Sequence, residues 1–400
     1  MEKKICVIGL GYIGLPTASL LASRGYDVHG VDVRQDVVDL LNKGEIHIVE
    51  PGLDILVRSA IQSKKLKASA QVKSADIFII AVPTPFRENH QADLSYVEAA
   101  SKSVAPFVKD GNLVILESTS PVGTTEKIKN WIESTNPQLN TVHYAHCPER
   151  VIPGHVLKEL IENDRIIGGV DEESTKQAAL FYQTFVEGKV LTTGARTAEM
   201  CKLVENSFRD VNIAFANELS VICDELKINV WELIQLANHH PRVNILQPGP
   251  GVGGHCIAVD PWFIVEAAPT KAKLIATARQ VNDAKPYWVI EQVKQQAAHY
   301  KMPVIACLGL SFKANIDDLR ESPAVEIIKE LQALELGKII AVEPNVQSIA
   351  GINLVDLNTA LETADIILVL VDHKEFKQIN KKQLQGKKII DTRGIFHAKD

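Results

Sequence analysis

Short β-rich apolar runs alternate with helical patterns from the start of this chain. Lys4–Gly9, Asp27–Val31, Ile77–Val82, Leu113–Glu117, Val142–His146 and Arg165–Gly169 read as strands. Segments between them, such as Leu15–Arg24, Ser95–Phe107 and Thr124–Ser134, read as helices. Such alternation predicts a parallel sheet covered on both faces. The texture changes near residue 195. From Thr197 to about Lys227 runs one helical pattern with no Pro or Gly. Helical segments follow at Val230–Asn238 and Lys271–His299, separated by the Pro- and Gly-rich loop Pro241–Asp260. After Pro303 the β/α alternation returns, with strands at Val304–Leu308, Lys338–Val342, Ile366–Val371 and Lys387–Asp391 and a helix at Pro323–Leu336. The two α/β ends share an architecture without obvious sequence repetition.

Composition narrows the picture. The 400 residues are 46% hydrophobic and 23% charged, the profile of a soluble globular protein. The net charge of -6 argues against a nucleic-acid partner, while leaving room for a small anionic ligand in a local cationic pocket. The cysteines (Cys6, Cys147, Cys201, Cys223, Cys256 and Cys307) are scattered, with neither CxxC pairs nor a His/Cys cluster, so neither disulfides nor a metal site is expected. No signal peptide or membrane span is legible, and the expected compartment is the cytoplasm.

Gly9-x-Gly11-x-x-Gly14 follows a strand and opens a helix. The first glycine allows the tight turn, the second lets a pyrophosphate approach the backbone, and the third lets helix and strand pack closely. The helix N-terminus then faces the phosphates. Asp32, at the end of the second strand, stands where an acid bonds the adenosine ribose, which favours NAD over NADP. Arg34 qualifies this, since it suits a 2′-phosphate, an adenine face or solvent. The fold expected is therefore α/β, with an N-terminal Rossmann-type domain over residues 1–195, a central helical domain with a long helix over 196–302, and a Rossmann-like C-terminal domain over 303–400. The cofactor set comprises Gly9, Gly11, Tyr12, Ile13, Gly14, Asp32, Arg34, Val82, Thr84 and Thr119. The two threonines lie in loops leaving strand ends, Ala81–Pro85 and Glu117–Gly123, where nicotinamide contact and helix capping are both open readings.

On the long helix Val204, Phe208, Val211, Phe215, Leu219 and Ile222 form one apolar stripe. Lys202, Asn206 and Arg209 fall on the opposite side, with Glu199 and Asn217 nearby. That face is either solvated or a ridge for an anionic, oxygen-rich substrate. In the Pro/Gly loop four glycines precede Cys256, so the backbone there can approach a ligand. A helix beginning at Cys256 would put Asp260 on the same face and set the thiol against N–H groups that lower its pKa. A thiolate is a strong nucleophile, and a neighbouring carboxylate can handle a water. Cys6, Cys223 and Cys307 fit the usual buried, inert role.

Taken together, GLGYIGLP, AVPTPF, ESTSPVG, HCPERVIPG, EMCKLVENSFRDVNIAFANE, HPRVNILQPGPGVGGHC and FKANIDDLRESPA resemble the UDP-glucose/GDP-mannose dehydrogenase family, in order and over nearly the whole chain. The resemblance implies a four-electron oxidation of C6 of a nucleotide sugar, with two NAD reduced and the C-terminal domain binding UDP. It implies that Cys256 is the nucleophile, Lys202 the catalytic lysine, Asn206 its neighbour, Asp260 the water-activating acid, Glu149 the glutamate near the thioester and Thr119 a water-ordering threonine. It assigns Arg320 to NAD, and Arg150, Val151, Lys202, Asn206, Arg209, His240, Arg242, Gly249, Gly253, Phe312 and Lys313 to the sugar nucleotide. His240 and Arg242 are expected to reach the neighbouring subunit of a homodimer. Val252 and His255 resemble the N-acetylhexosamine-oxidising branch rather than the glucose-oxidising one. The manno epimer is the first expectation for the sugar and the gluco epimer the alternative.

Overall fold

The structure is a computed structural model describing residues 3–87, 90–152, 154–254 and 256–396; His255 lies outside them. The chain forms two compact units. The first takes in the chain up to Glu205 with Trp262–Ala267, the second Asn206–Pro261 and the chain from Ala268 onward.

The first unit is built on eight strands: β1 (Lys4–Ile8), β2 (Asp27–Val31), β3 (Leu66–Ser69), β4 (Ile77–Ile80), β5 (Leu113–Leu116), β6 (His143–His146), β7 (Arg165–Gly169) and β8 (Val190–Gly194). Their order is β3-β2-β1-β4-β5-β6-β7-β8. Every neighbouring pair is parallel except β6 and β7, where Ala145 lies antiparallel to Gly169. Both faces are buried, which explains the near-continuous apolar runs. Ile5, Val7, Ile79 and Ile115 pack on one side with Leu15 and Leu21. Cys6, Ile8, Phe78, Ile80, Val114 and Leu116 pack on the other with Val97, Ile128 and Ile132. The strand order reverses at β1, and crevices for ligands open at the carboxyl ends of strands at such a point.

The second unit holds a four-stranded parallel sheet, β9 (Val304–Leu308), β10 (Lys338–Val342), β11 (Ile366–Val369) and β12 (Lys388–Asp391), in the order β10-β9-β11-β12. Pro323 stands in the first turn of the helix Pro323–Ala333, and Asn229 caps Val230–Ala237 by accepting from Trp231 N at 3.0 Å. The long helix Ala195–Leu226 begins in the first unit and continues into the second.

Within the second unit, that helix buries a polar face. Asp210 and Asn217 are fully buried and bond Arg279 and Asn282 of the helix Lys273–Ala297. The apolar stripe faces outward instead, with Phe208 73% and Phe215 53% exposed.

One local device occurs twice. After β1, Gly9 has φ +90°, its N–H donates to Val31 O at 2.8 Å, and Leu10 N donates to the Asp32 carboxylate at 3.0 Å. After β9, Gly309 has φ +91°, its N–H donates to Val342 O at 2.9 Å, and Leu310 N donates to the Glu343 carboxylate at 2.8 Å. The shared sequence is only Gly-Leu, with an acid just past the second strand, too little to read as a repeat.

Candidate active site

The glycine turn has the geometry its spacing implies. A Cβ on Gly9 would lie 2.6 Å from Ala81 O, and one on Gly14 would lie 1.8 Å from Gly9 O. Both positions are closed to any side chain. Nothing lies within 4 Å of a Cβ built on Gly11, so its backbone is open to approach. Asp32 is half-buried, bonded by Leu10 N at 3.0 Å and Arg34 N at 3.0 Å. This arrangement fits NAD. Arg34 is turned to an exposed ion pair with Asp36. Tyr12 is 46% exposed beside the turn.

The two loops at the strand ends are tied together, since Thr84 Oγ1 donates to Thr119 O. Neither threonine caps a helix. The N-cap of Thr124–Thr135 is Gly123, and its N–H groups are met by Glu199 of the long helix. That buried carboxylate accepts from Gly123 N at 2.6 Å, Thr125 N at 2.7 Å and Thr125 Oγ1 at 2.7 Å. Glu199 therefore anchors the start of the long helix one turn before Lys202, which is half-buried. Val82 is half-buried and packs against the core, and its carbonyl accepts from Ser118 Oγ at 2.7 Å.

Beneath these loops lies a buried carboxyl pair that sequence reading missed in part. Glu149 is 6% exposed and pairs with the buried Arg165 at 3.2 Å, while its other oxygen accepts from Arg150 N at 2.6 Å. Glu117 accepts from Tyr182 OH at 2.6 Å and Thr17 Oγ1 at 3.3 Å. Burial, then the charge of Glu149, pushes the Glu117 carboxyl from 4.5 up to about 7, against the pull of Arg165. Between those values the folded state binds more protons than the unfolded one, so this group's contribution to stability falls as pH rises. Glu117→Gln removes the titration. Its melting temperature should gain on the wild type between pH 5 and pH 8, and a constant difference across that range would refute the assignment. The signal available in sequence was a charged residue opening a strand, Arg165, and an acid closing one, Glu117.

Arg150 is engaged by Glu205 at 2.8 Å and by Asp164 O at 3.1 Å, and Val151 packs against the core.

In the second unit the helix after the cysteine begins at Asp260, not at Cys256. Pro261 suits the first turn, which sets the start there. Cys256 instead opens the turn before it, and its carbonyl accepts from Val259 N at 3.1 Å and Asp260 N at 2.8 Å. The thiol and the Asp260 carboxyl are thus fixed by one short turn rather than by a shared helical face. Asn206 donates to Asp260 Oδ2 at 2.5 Å, bringing two of the expected residues into contact. Of the six cysteines only Cys256 is exposed. Burial pushes the Cys6 thiol to about 11 and the Cys147 and Cys307 thiols to about 12, which leaves them inert.

The glycine loop is held from several directions within this unit. Gly249 N donates to Asn217 Oδ1 at 2.8 Å, ending the chain of bonds that runs from Arg279 through Asp210 and Asn282. A Cβ on Gly253 would lie 2.2 Å from Glu321 O, and one on Gly254 2.9 Å from the Phe312 ring. Phe312 is half-buried there and Lys313 exposed. Arg320 bonds Asp318 at 2.6 Å while its carbonyl accepts from Gly254 N at 3.3 Å. Arg209, His240 and Arg242 are exposed, and His240 Nδ1 accepts from Arg242 N at 3.3 Å.

Comparison with known proteins places this arrangement. The NAD binding domain of the UDP-glucose/GDP-mannose dehydrogenase family matches residues 3–186, its central domain 196–284 and its UDP binding domain 306–398. The chain is 58% identical to the NDP-N-acetyl-D-galactosaminuronic acid dehydrogenase of Ralstonia nicotianae, over 99% of this chain and 97% of that one. It is 57% identical to the UDP-N-acetyl-D-mannosamine dehydrogenase of Campylobacter jejuni, over 94% and 97%. The solved structure of the UDP-D-ManNAc dehydrogenase of Pyrococcus horikoshii matches with a TM-score of 0.90 at 41% identity, covering 98% of this chain and 96% of that one. The glycine turn, the cysteine turn and these matches lead to one statement: the chain is an NAD-dependent oxidoreductase that belongs to the UDP-glucose/GDP-mannose dehydrogenase family.

Proposed function

We propose that this enzyme oxidises the C6 alcohol of UDP-N-acetyl-D-mannosamine to the carboxylate, with two NAD reduced per sugar, in the service of surface polysaccharide synthesis. The observation that carries the reading is the turn joining an exposed Cys256 to an Asp260 carboxylate oriented by Asn206. Residues 1–195 bind NAD, 196–302 carry the catalytic loop and the subunit interface, and 303–400 bind the UDP-sugar.

The Gly9–Gly14 turn and Asp32 would hold NAD, which would supply the hydride acceptor for each oxidation of C6. In the first, the C6 hydroxyl also loses its proton and an aldehyde forms. Cys256 Sγ then adds to the aldehyde carbon, and Lys202 stabilises the oxyanion of the resulting thiohemiacetal. Loss of a second hydride from that carbon leaves a thioester on Cys256. Asp260 takes a proton from the attacking water, the C–S bond breaks, and the acid leaves with the thiol restored. Thr119 and Glu149 order the water and the thioester. Arg320 contacts NAD. Arg150, Val151, Arg209, Gly249, Gly253, Phe312 and Lys313 hold the sugar nucleotide, the cations among them answering the diphosphate charge.

The exposed apolar stripe of the long helix makes a homodimer interface, from which His240 and Arg242 reach the partner's site. Light scattering at micromolar concentration should return the dimer mass; a monomer would refute it. The protein is placed in the cytoplasm, where thiols stay reduced. No disulfide links its cysteines, and among the described residues no helix is long and apolar enough to cross a membrane.

The second reading is the galacto epimer, favoured by the relative at 58% identity. The test supplies UDP-N-acetylmannosamine, UDP-N-acetylgalactosamine and UDP-N-acetylglucosamine separately and follows NADH. Two NADH per UDP-N-acetylmannosamine, at the highest kcat/KM of the three, is the expected result. One NADH per sugar, or preference for another epimer, would overturn it.

A further inference from the structure

Glu343 directly follows β10, His373 lies four residues past the end of β11, and their side chains are fully buried. Glu343 Oε2 accepts from Leu310 N at 2.8 Å, Ser311 N at 3.1 Å and His373 Nε2 at 3.1 Å. Its Oε1 accepts from Asn345 N at 3.0 Å. Burial alone would raise this carboxyl, but the bonds from His373, Leu310 and Asn345 hold it at about 2. On the other side of the imidazole, Nδ1 accepts from Asn315 N at 2.9 Å and from Asn345 Nδ2 at 3.2 Å. An Nδ1 that accepts an amide N–H requires the ring hydrogen on Nε2, aimed at Glu343. The two side chains thus grip the segment Leu310–Asn315 at both ends.

That segment touches the cysteine loop. Phe312 N donates to Asp318 O at 3.0 Å, and the Phe312 ring lies against Gly254, two residues before Cys256. The contact is close enough that a single Cβ on Gly254 would collide with the ring.

We infer that His373 is a positioning residue: by gripping Asn315 directly, and Leu310 and Ser311 through Glu343, it sets Phe312 and Lys313 for the sugar nucleotide and seats the glycines that present Cys256. The inference rests on the reading above that Phe312 and Lys313 bind the UDP-sugar. Sequence pattern alone marks His373 only as a residue after a strand.

The two nitrogens can be tested separately on the full-length enzyme. His373→Asn keeps an acceptor near the Nδ1 position for Asn315 N–H. His373→Gln keeps a donor near the Nε2 position for Glu343 and loses the grip on Asn315. Each variant is assayed for the KM of UDP-N-acetylmannosamine and of NAD. The rate at which iodoacetamide alkylates Cys256 without substrate is read by mass spectrometry of that peptide. For His373→Gln the sugar-nucleotide KM should rise about tenfold, the NAD KM should stay within about twofold, and the alkylation rate should change at least about threefold, the scale of one lost buried hydrogen bond. His373→Asn keeps the grip on Asn315 but loses the bond to Glu343, so it should shift the sugar-nucleotide KM and the alkylation rate in the same direction as His373→Gln, by about half as much on a logarithmic scale, with the NAD KM again within about twofold. Equal loss of thermal stability in both variants, with sugar KM and alkylation unchanged, would reduce His373 to a structural role and overturn the inference. Wild type that fails to turn over any UDP-N-acetylhexosamine would sink the functional reading alone, because the alkylation comparison needs no substrate.

Discussion

Cys256→Ser should lower the steady-state rate of NADH formation by roughly 10³-fold or more, the scale of losing a covalent nucleophile. Serine places a hydroxyl where the thiol stood, and the turn from Cys256 O to Val259 N and Asp260 N is backbone only, so the fold there is kept. A hydroxyl at its ordinary pKa adds poorly to an aldehyde, and the second hydride has no covalent adduct to leave from. Single-turnover mixing should therefore yield at most one NADH per sugar instead of two. Binding of NAD and of UDP, measured by calorimetry, should stay near wild type because neither depends on the sulfur. Two NADH per sugar at an undiminished rate would mean that the second oxidation proceeds through a free hydrate, and that the exposed cysteine is incidental.

The second large effect is on stability. Arg279 is 2% exposed and its guanidinium bonds Asp210 at 2.6 Å, with Asp210 fully buried and also held by Asn282 at 2.8 Å. Burial raises the Asp210 carboxyl, and Arg279 is the main group opposing that rise. Arg279→Ala leaves a buried carboxylate without its cation, a loss of about 3–5 kcal/mol. For a unit of this size the melting temperature should fall by about 10 °C. Adding Asp210→Leu should recover much of the loss, since paired removal of a buried charge pair is far milder than breaking it. A single variant within about 1 °C of wild type would show that the pair contributes nothing. The damage should also reach activity, because Asn282 passes to Asn217 and Asn217 holds Gly249 of the glycine loop.

Much of this was legible in the residues, and the gaps have identifiable causes. The glycine turn was readable because each glycine answers a separate steric demand, two of them absolute at Gly9 and Gly14. The central strands were readable because burial on both faces forces unbroken apolar runs. Edge strands β3 and β8 were not, because exposed positions break up their apolar runs. Nor was the antiparallel pairing of β6 and β7, since strand direction leaves no trace in hydropathy. On the long helix, periodicity separates two faces but does not say which is inside. The partner that buries the polar face, Lys273–Ala297, does so with Arg279 and Asn282, residues that read as surface positions in isolation. The helix start considered at Cys256 falls four residues later, because Asp260-Pro261 was not weighed as a helix start. Glu343 was open to the reasoning that found Asp32, an acid just past the second strand, but without a second GxGxxG there was no prompt to apply it.

The doubled turn gives the two acids different working lives. Asp32 is half-buried and its oxygens are shared with two backbone N–H groups, Leu10 and Arg34. Glu343 is sealed, with His373 supplying from within the chain a hydrogen bond of the kind a bound hydroxyl gives. Under the function proposed above, a cycle that consumes two NAD for every sugar would change the company of Asp32 twice, while Glu343 keeps the same neighbours throughout. The imidazole acts as a permanent tenant of its turn, so the Leu310–Asn315 segment keeps its hold without needing any ligand to complete it.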